Sequence, residues 1–452
     1  MPPRRLLIVS YDFPPSSIGI WRTLKLCRYM GEFGWRPAVL TVRDVRTPRW
    51  DPGPLAELPE GTPIRRTESL DQNRLAFLAS KAIGSLKGKP AVGGAARPAA
   101  KSTNAALRGA MDVLRAWALV PDDRAGWYPF ALAEGRRWLR SAKFDAVYTT
   151  SFPNTAHLVG ARLAREFNLP LIADFRDIWV GNYYFYHPAT PWHDRLQRRL
   201  ERSVIETAAA VVSVTGPITA DFRERYPDQP PAKFHTITNG FDPEDFEGVI
   251  PRPGTHVYTI AYAGTMYGGT SPEGFLRGVR RLLKAEPRWR AVLRLRFVGA
   301  MIEPYRAMID RFGLADITRV DPYLAHGEAL QAMADADALL LIVSPEKGSH
   351  IMLTQKVFEY AAARRPVIGL VPEGAARDFL QEIDEGPIAP PTDSAAVARI
   401  LRAELTRWNR EGRRLLPPNP ALAKYERKSI AERLCGVFDT ALLSEPPAPA
   451  PP

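Results

Sequence analysis

"RRLLIVSYDFPPSSIGIWRTLKLCRYMGEFGWRPAVLTV", residues 4–42, carries the reading on which the fold turns. Leu6 to Val9 form a short apolar run of strand length, and polar residues follow it. "WRTLKLCRYMGEFG" then repeats apolar residues at helical spacing and ends at Gly34, after which "RPAVLTV" is apolar again. Strand, helix and strand in this order make a β-α-β unit, the mark of a parallel sheet. Moving outward, "FDAVYTTS", "PLIADFRD" and "AAAVVSVTG" continue the series up to Gly216. Each ends in polar residues, where a parallel sheet presents its ligand contacts. A second series starts near Val257 with "VYTIAYAGT", "LRLRFVG", "ITRVDPY", "ALLLIVS" and "PVIGLV". The fold class is therefore α/β, in two halves.

The halves meet near residue 250, where "DPEDFEGVIPRPGTH" is acidic and rich in proline. The expected first domain is 1–250 and the second 251–425. A helix over 426–443 is expected to fold back on the first half, and "SEPPAPAPP" (444–452) to be a disordered tail. Between about 70 and 108 the alternation breaks, and "KGKPAVGGAARPAAKS" has the composition of a mobile loop. "AALRGAMDVLRAWALV" after it is amphipathic, with basic residues on one side. It reads either as a docked helix or, with the loop, as a patch for an anionic membrane surface.

Bulk properties narrow the function classes. At 452 residues the chain exceeds one core, and 45% apolar with 24% charged residues is ordinary globular composition. No run of about 18 apolar residues is present, so no transmembrane helix is expected. Cys27 and Cys435 are far apart and form no metal or redox motif, which fits a reducing cytoplasm. The charge of +12, from 61 basic and 49 acidic residues, favours anionic partners but comes with no nucleic-acid recognition motif.

"SYDFPPSSIGIWRTLKLCRYMGEFGWRPAVLT", "PDDRAGWYPFAL", "TTSFPNTAHLVGARLAREFNLPLIADFRDIW", "HTITNGFDPEDF", "YAGTMYGG" and "TQKVFEYAAARRPVIGL" occur in this order along nearly the whole chain. Together they resemble the GT-B glycosyltransferases of the large retaining family 4, in a branch often linked to surface-polysaccharide synthesis. The resemblance implies two Rossmann-like domains with parallel sheets facing across a cleft, the first (1–250) binding the acceptor and the second (251–425) the nucleotide sugar. It also implies a nucleoside-diphosphate sugar as donor, a glycan or lipid-linked saccharide as acceptor, retention of configuration, and neither cofactor nor metal. A nucleotide-sugar epimerase of the same fold, or a non-catalytic protein that kept it, are the alternatives. The place in the cell would be the cytoplasm, with peripheral contact at the inner face of the membrane.

The resemblance also assigns residues. In the first half, Gly19 and Ser17 occupy the family's small-residue turn after the first strand, where backbone approaches a ligand. Asn154 or Thr155 caps the next helix, and His157 in its first turn stands where relatives place a histidine near the anomeric carbon. Asp174, Arg176 and Asp177 cluster at a strand end, as a catalytic or binding group or as a salt-bridge network. In the second half, Gly264 lets a loop approach the diphosphate, but Thr265 and Ser271 stand where relatives carry Arg and Lys. Lys356, with the amides of "KGSHIMLTQ" and with Thr354, is expected to supply the missing charge. Of the family's two signature glutamates only the second is present, as Glu359, the expected ribose ligand; Ile351 replaces the first. Otherwise Lys356 and Glu359 are an ordinary surface pair three residues apart. Tyr323 is a candidate neighbour of the base, or a core tyrosine. Asp335 and Asp337 form an Asp-x-Asp pair before an apolar run and read as structural, leaving no metal site.

Overall fold

The computed structural model describes residues 3–16, 19–43, 51–71, 120–182, 186–252, 254, 256–266 and 270–443. Ser17, the loop beyond residue 71, the amphipathic stretch up to residue 119, residues 267–269 and the tail lie outside them. The chain divides into two compact units. The first takes Met1–Val214, Ile218–Ile237 and Ile430–Pro452; the second takes Thr215–Pro217 and Thr238–Ser429.

The first unit is built on β1 (Arg4–Val9), β2 (Trp35–Val42), β3 (Ile64–Thr67), β4 (Ala146–Thr150), β5 (Leu171–Phe175), β6 (Ala208–Ser213) and β7 (Phe234–Thr236). They form one sheet in the order β3-β2-β1-β4-β5-β6-β7, with parallel pairing throughout. The opening stretch behaves as its pattern demands. Arg4 pairs with Trp35 and Val9 with Leu40, and the helix Trp21–Tyr29 makes the crossover. Leu6 to Val9 are wholly buried because helices cover both faces of a parallel sheet. Gly34 ends the crossover with a φ of 79°, a left-handed conformation that glycine adopts without strain.

The second unit repeats the design with β8 (Tyr258–Ala263), β9 (Leu293–Val298), β10 (Thr318–Asp321), β11 (Ala338–Ile342), β12 (Val367–Leu370) and β13 (Ile388–Ala389). Their order is β10-β9-β8-β11-β12-β13, again parallel. The expected strands are all present. The edge strands β3, β7 and β13 were not read from the sequence, because two to four residues are too few to show a period.

The boundary differs from the expected one. The chain enters the second unit at Thr238, directly after β7, and not near residue 250. The proline-rich segment is no free linker: Phe241 is buried in a core cluster of the second unit, and Phe246 and Val249 pack against it. The helix Arg427–Leu443 lays Ile430, Leu434, Phe438 and Ala441 into the core around Leu6, Trp35 and Tyr148 of the first unit. Phe438 meets Trp35 edge-on at 5.4 Å between ring centroids, and the Trp35 indole donates to Asp439 at 2.9 Å.

Candidate active site

Ligands of an open parallel sheet gather at the carboxyl ends of its strands, where the strand order reverses. In the first unit that point lies between β1 and β4, in the second between β8 and β11.

In the first unit the three residues expected to be catalytic are absorbed into the structure. Asp174 ends β5 and is completely buried. Arg22 of the crossover helix grips it with two bonds, Nε to Oδ2 at 2.6 Å and Nη2 to Oδ1 at 3.0 Å. Tyr148 of β4 donates to the same carboxylate, and burial and then the Asp174 charge push that phenol's pKa well up, so the donor proton stays. A carboxylate with both oxygens saturated away from solvent does not meet substrate, so the catalytic assignment of Asp174 is corrected to a buried ion pair. Arg22 was not singled out in the sequence, since it lies 152 residues away.

His157 receives the same correction. Its ring has no exposed surface. Nδ1 lies 2.7 Å from the Thr149 hydroxyl, and the ring packs 4.2 Å from that of Phe175. Burial lowers its pKa to about 3, so it is neutral, and Nε2 is buried without a hydrogen-bond partner among the described residues. The helix Thr155–Phe167 turns this position toward the sheet, not toward its edge. Asn154 does not cap that helix through its side chain. Asp122 does the capping, accepting from the Thr155 amide at 2.9 Å and the Thr155 hydroxyl at 2.8 Å.

Arg176 is half-buried, and its donors reach three backbone carbonyls: Ser151, Gly19 and, at 3.0 Å, Phe152. It fastens the turn after β1 to the turn after β4 and is a positioning residue. Gly19 is exposed with a φ of +63°, a left-handed conformation that favours glycine. Asp12, absent from the sequence reading, is held up near a pKa of about 6 by burial, with Arg176 pulling the other way.

The second unit gathers Gly264, Thr265 and Lys356 at the end of β8. Gly264 follows β8 at φ +133°, and a Cβ on it would strike Lys356 Cε at 2.2 Å. Lys356 thus lies directly over the glycine. Its Nζ donates to the Tyr262 hydroxyl at 2.8 Å and sits 4.6 Å from that ring's centroid. Tyr360 of the same short helix, Lys356–Ala362, accepts from the Ala263 amide at 2.8 Å and so fixes the end of β8. Thr265 is half-buried beside Gly264. The buried Thr354 hydroxyl has no partner among the described residues.

Glu359 does not pair with Lys356. Among the described residues its carboxyl has one hydrogen bond, from Gln355 Nε2 at a long 3.4 Å. The carboxyl is half-buried; burial raises its pKa, while the nearby His326 and Arg427 oppose the rise. His326, which the sequence reading passed over, opens the helix His326–Ala334 with Nε2 3.5 Å from Asp245. Tyr323, in the loop after β10, is 51% exposed, which removes it from the core. Asp335 and Asp337 are structural, as expected: Asp337 accepts from the Thr259 amide and from Arg413, and Asp335 from the Arg252 amide.

Residues 94–245, about a third of the chain, match the model of Glycosyltransferase Family 4. No curated protein sequence matches. Among solved structures, Anabaena HepE in complex with UDP and glucose superimposes with a TM-score of 0.62 over 97% of this chain and 100% of that one, at 13% identity. The fold is GT-B. Other GT-B structures agree. The lipopolysaccharide outer core galactosyltransferase WaaB gives a TM-score of 0.57 at 11% identity, covering 97% of this chain and 99% of that one. Sucrose-phosphate synthase from Thermosynechococcus elongatus gives 0.56 at 14%, covering 97% and 96%. The family whose model matches residues 94–245 is a family of glycosyltransferases.

Proposed function

We propose that this GT-B glycosyltransferase moves a sugar from a nucleoside-diphosphate sugar to a glycan or lipid-linked saccharide, with retention, without a divalent metal, in cell-surface polysaccharide synthesis. The observation that carries the reading is the separation of Lys356 and Glu359: the lysine lies over Gly264 and the carboxylate stays half-buried with one weak internal bond. Lys356, Thr354 and the Gly264–Thr265 backbone would hold the diphosphate, where fixed positive charge stabilises the leaving group. Glu359 would accept from the ribose hydroxyls, and Tyr323 would lie along the base. HepE, whose structures hold UDP and UDP-glucose, favours a uridine donor. WaaB, and WaaG, a glycosyltransferase involved in lipopolysaccharide biosynthesis, favour a polysaccharide role.

A thermal-shift screen of nucleotides and nucleotide sugars tests the donor. A true donor at about a hundred times its dissociation constant stabilises by roughly 2.7 kcal/mol. Uridine nucleotides are expected to give the largest shift, and transfer is expected to survive exhaustive chelation. No shift with any nucleotide, or activity lost to EDTA and restored by magnesium or manganese, would contradict the corresponding part. The reading places the enzyme in the cytoplasm, at the inner face of an anionic membrane. Sedimentation with anionic liposomes that salt weakens would support that placement, and equal binding to neutral liposomes would oppose it.

A further inference from the structure

The helix Ser394–Glu411 packs on the second sheet, with Val397, Leu401 and Leu405 buried in the core beneath it. Its outer side is basic. A cavity of about 360 Å³ there is lined by Arg399, Arg402, Ala403, Thr406, Arg407 and Arg410, with no carboxylate among the described lining residues. Arg399, Arg402, Thr406 and Arg410 recur at spacings of three and four. They therefore form one stripe along the helix, about 16 Å long at about 1.5 Å per residue.

The counter-charges around the stripe are shared. Arg402 meets Glu286 at 2.5 Å, but Glu286 also holds Arg288 at 2.8 Å. Glu411 is divided between Arg410 and, at 3.9 Å, Arg407. Glu404 lies 3.4 Å from Arg407. Arg399 is exposed and makes no hydrogen bond or ion pair among the described residues. The Arg407 side chain is only 15% exposed, and its Nε is buried with no partner among the described residues. A buried N–H without an acceptor costs free energy that a bound anion restores.

The residue types narrow the anion. All four cations lining the cavity are arginines, whose planar forks match phosphate oxygens two at a time. Aromatic rings are missing from the described lining, and Trp408 packs on the core, 5.8 Å from the Tyr258 ring, so bases have no platform to stack on. Tyr258 opens β8 and Gly264 follows its end. The Trp408 end of the helix thus lies at the amino edge of the sheet, one strand length or about 20 Å from Gly264.

We propose that this arginine stripe binds phosphate groups, as a second anion site remote from Gly264 and Lys356. A soluble polyphosphate ester and a row of phospholipid headgroups present the same chemistry to it, and the two sources are separated by the probes below.

The full chain is titrated with tripolyphosphate by calorimetry, with UDP added to occupy the donor site. It is also sedimented with vesicles of phosphatidylglycerol or of phosphatidylcholine. One variant combines Arg399→Ala with Arg402→Ala. A charge-matched control combines Arg36→Ala with Arg140→Ala, two exposed arginines of the first unit. Wild type is expected to bind tripolyphosphate, phosphatidylglycerol vesicles or both, and the stripe variant to bind that probe at least about tenfold more weakly. The control variant should stay within about twofold of wild type. A loss confined to tripolyphosphate identifies a soluble ligand, and a loss confined to phosphatidylglycerol vesicles a membrane headgroup. Wild type that binds neither probe, a stripe variant that binds like wild type, or equal losses in both variants would overturn the proposal. UDP affinity, measured separately, should be the same in all three proteins. Its absence would count against the donor reading and not against the stripe.

Discussion

The carboxyl edges of the two sheets carry similar residues and put them to opposite uses. In the first unit Asp174 is sealed and saturated by Arg22 and Tyr148. In the second unit Glu359 keeps partial exposure and, among the described residues, a single 3.4 Å bond. A charge whose hydrogen-bonding capacity is used up internally serves stability. A charge brought partly out of water and left underused is available to a ligand.

The largest effect that would break this comparison is at Asp174. Asp174→Asn keeps the shape but leaves the Arg22 guanidinium buried without its counter-charge, which costs about 3–5 kcal/mol. Chemical denaturation of the variant should show that loss, while a loss below about 1 kcal/mol would return Asp174 to the list of functional groups.

His157 sharpens the comparison through pH. Its folded pKa of about 3 lies below its ordinary 6.5. Between these values the unfolded chain binds a proton that the folded chain does not. The stabilisation is therefore full above about pH 6.5 and is lost as pH falls toward 3, at up to about 1.4 kcal/mol per pH unit. Denaturation midpoints from pH 7 to 4 should fall more steeply for wild type than for His157→Gln. Parallel curves would mean that the imidazole reaches water after all.

Much of the fold was legible because each long strand is an apolar run with a helical pattern beside it. "LLIV" needs no partner to be recognised as buried. In the second half Gly264, Lys356 and Glu359 could be singled out from the sequence because each is marked by local position, and the structure brings Lys356 over Gly264. The first half was misread, because the nature of Asp174 depends on Arg22, 152 residues earlier, and sequence spacing does not reveal such a pair. The same distance hid Asp122 as the cap of the helix at Thr155. His326 and Tyr262 escaped notice for a related reason: each acquires its role only from a side chain on another element.

Glu359 gives the smallest free-energy effect and the most direct test. Two charge-assisted bonds from ribose hydroxyls are worth about 1.5–3 kcal/mol each before desolvation and ordering are subtracted. Calorimetric titration of wild type and Glu359→Gln with UDP, and with its 2′,3′-dideoxy form, isolates that contact. The variant should bind UDP at least about tenfold more weakly, roughly 1.4 kcal/mol, with a nearly unchanged melting temperature. The dideoxy nucleotide should bind both proteins weakly and alike. Equal affinity of wild type and variant for UDP would contradict the assignment of Glu359 as the ribose ligand, and with it the donor site proposed for the second unit.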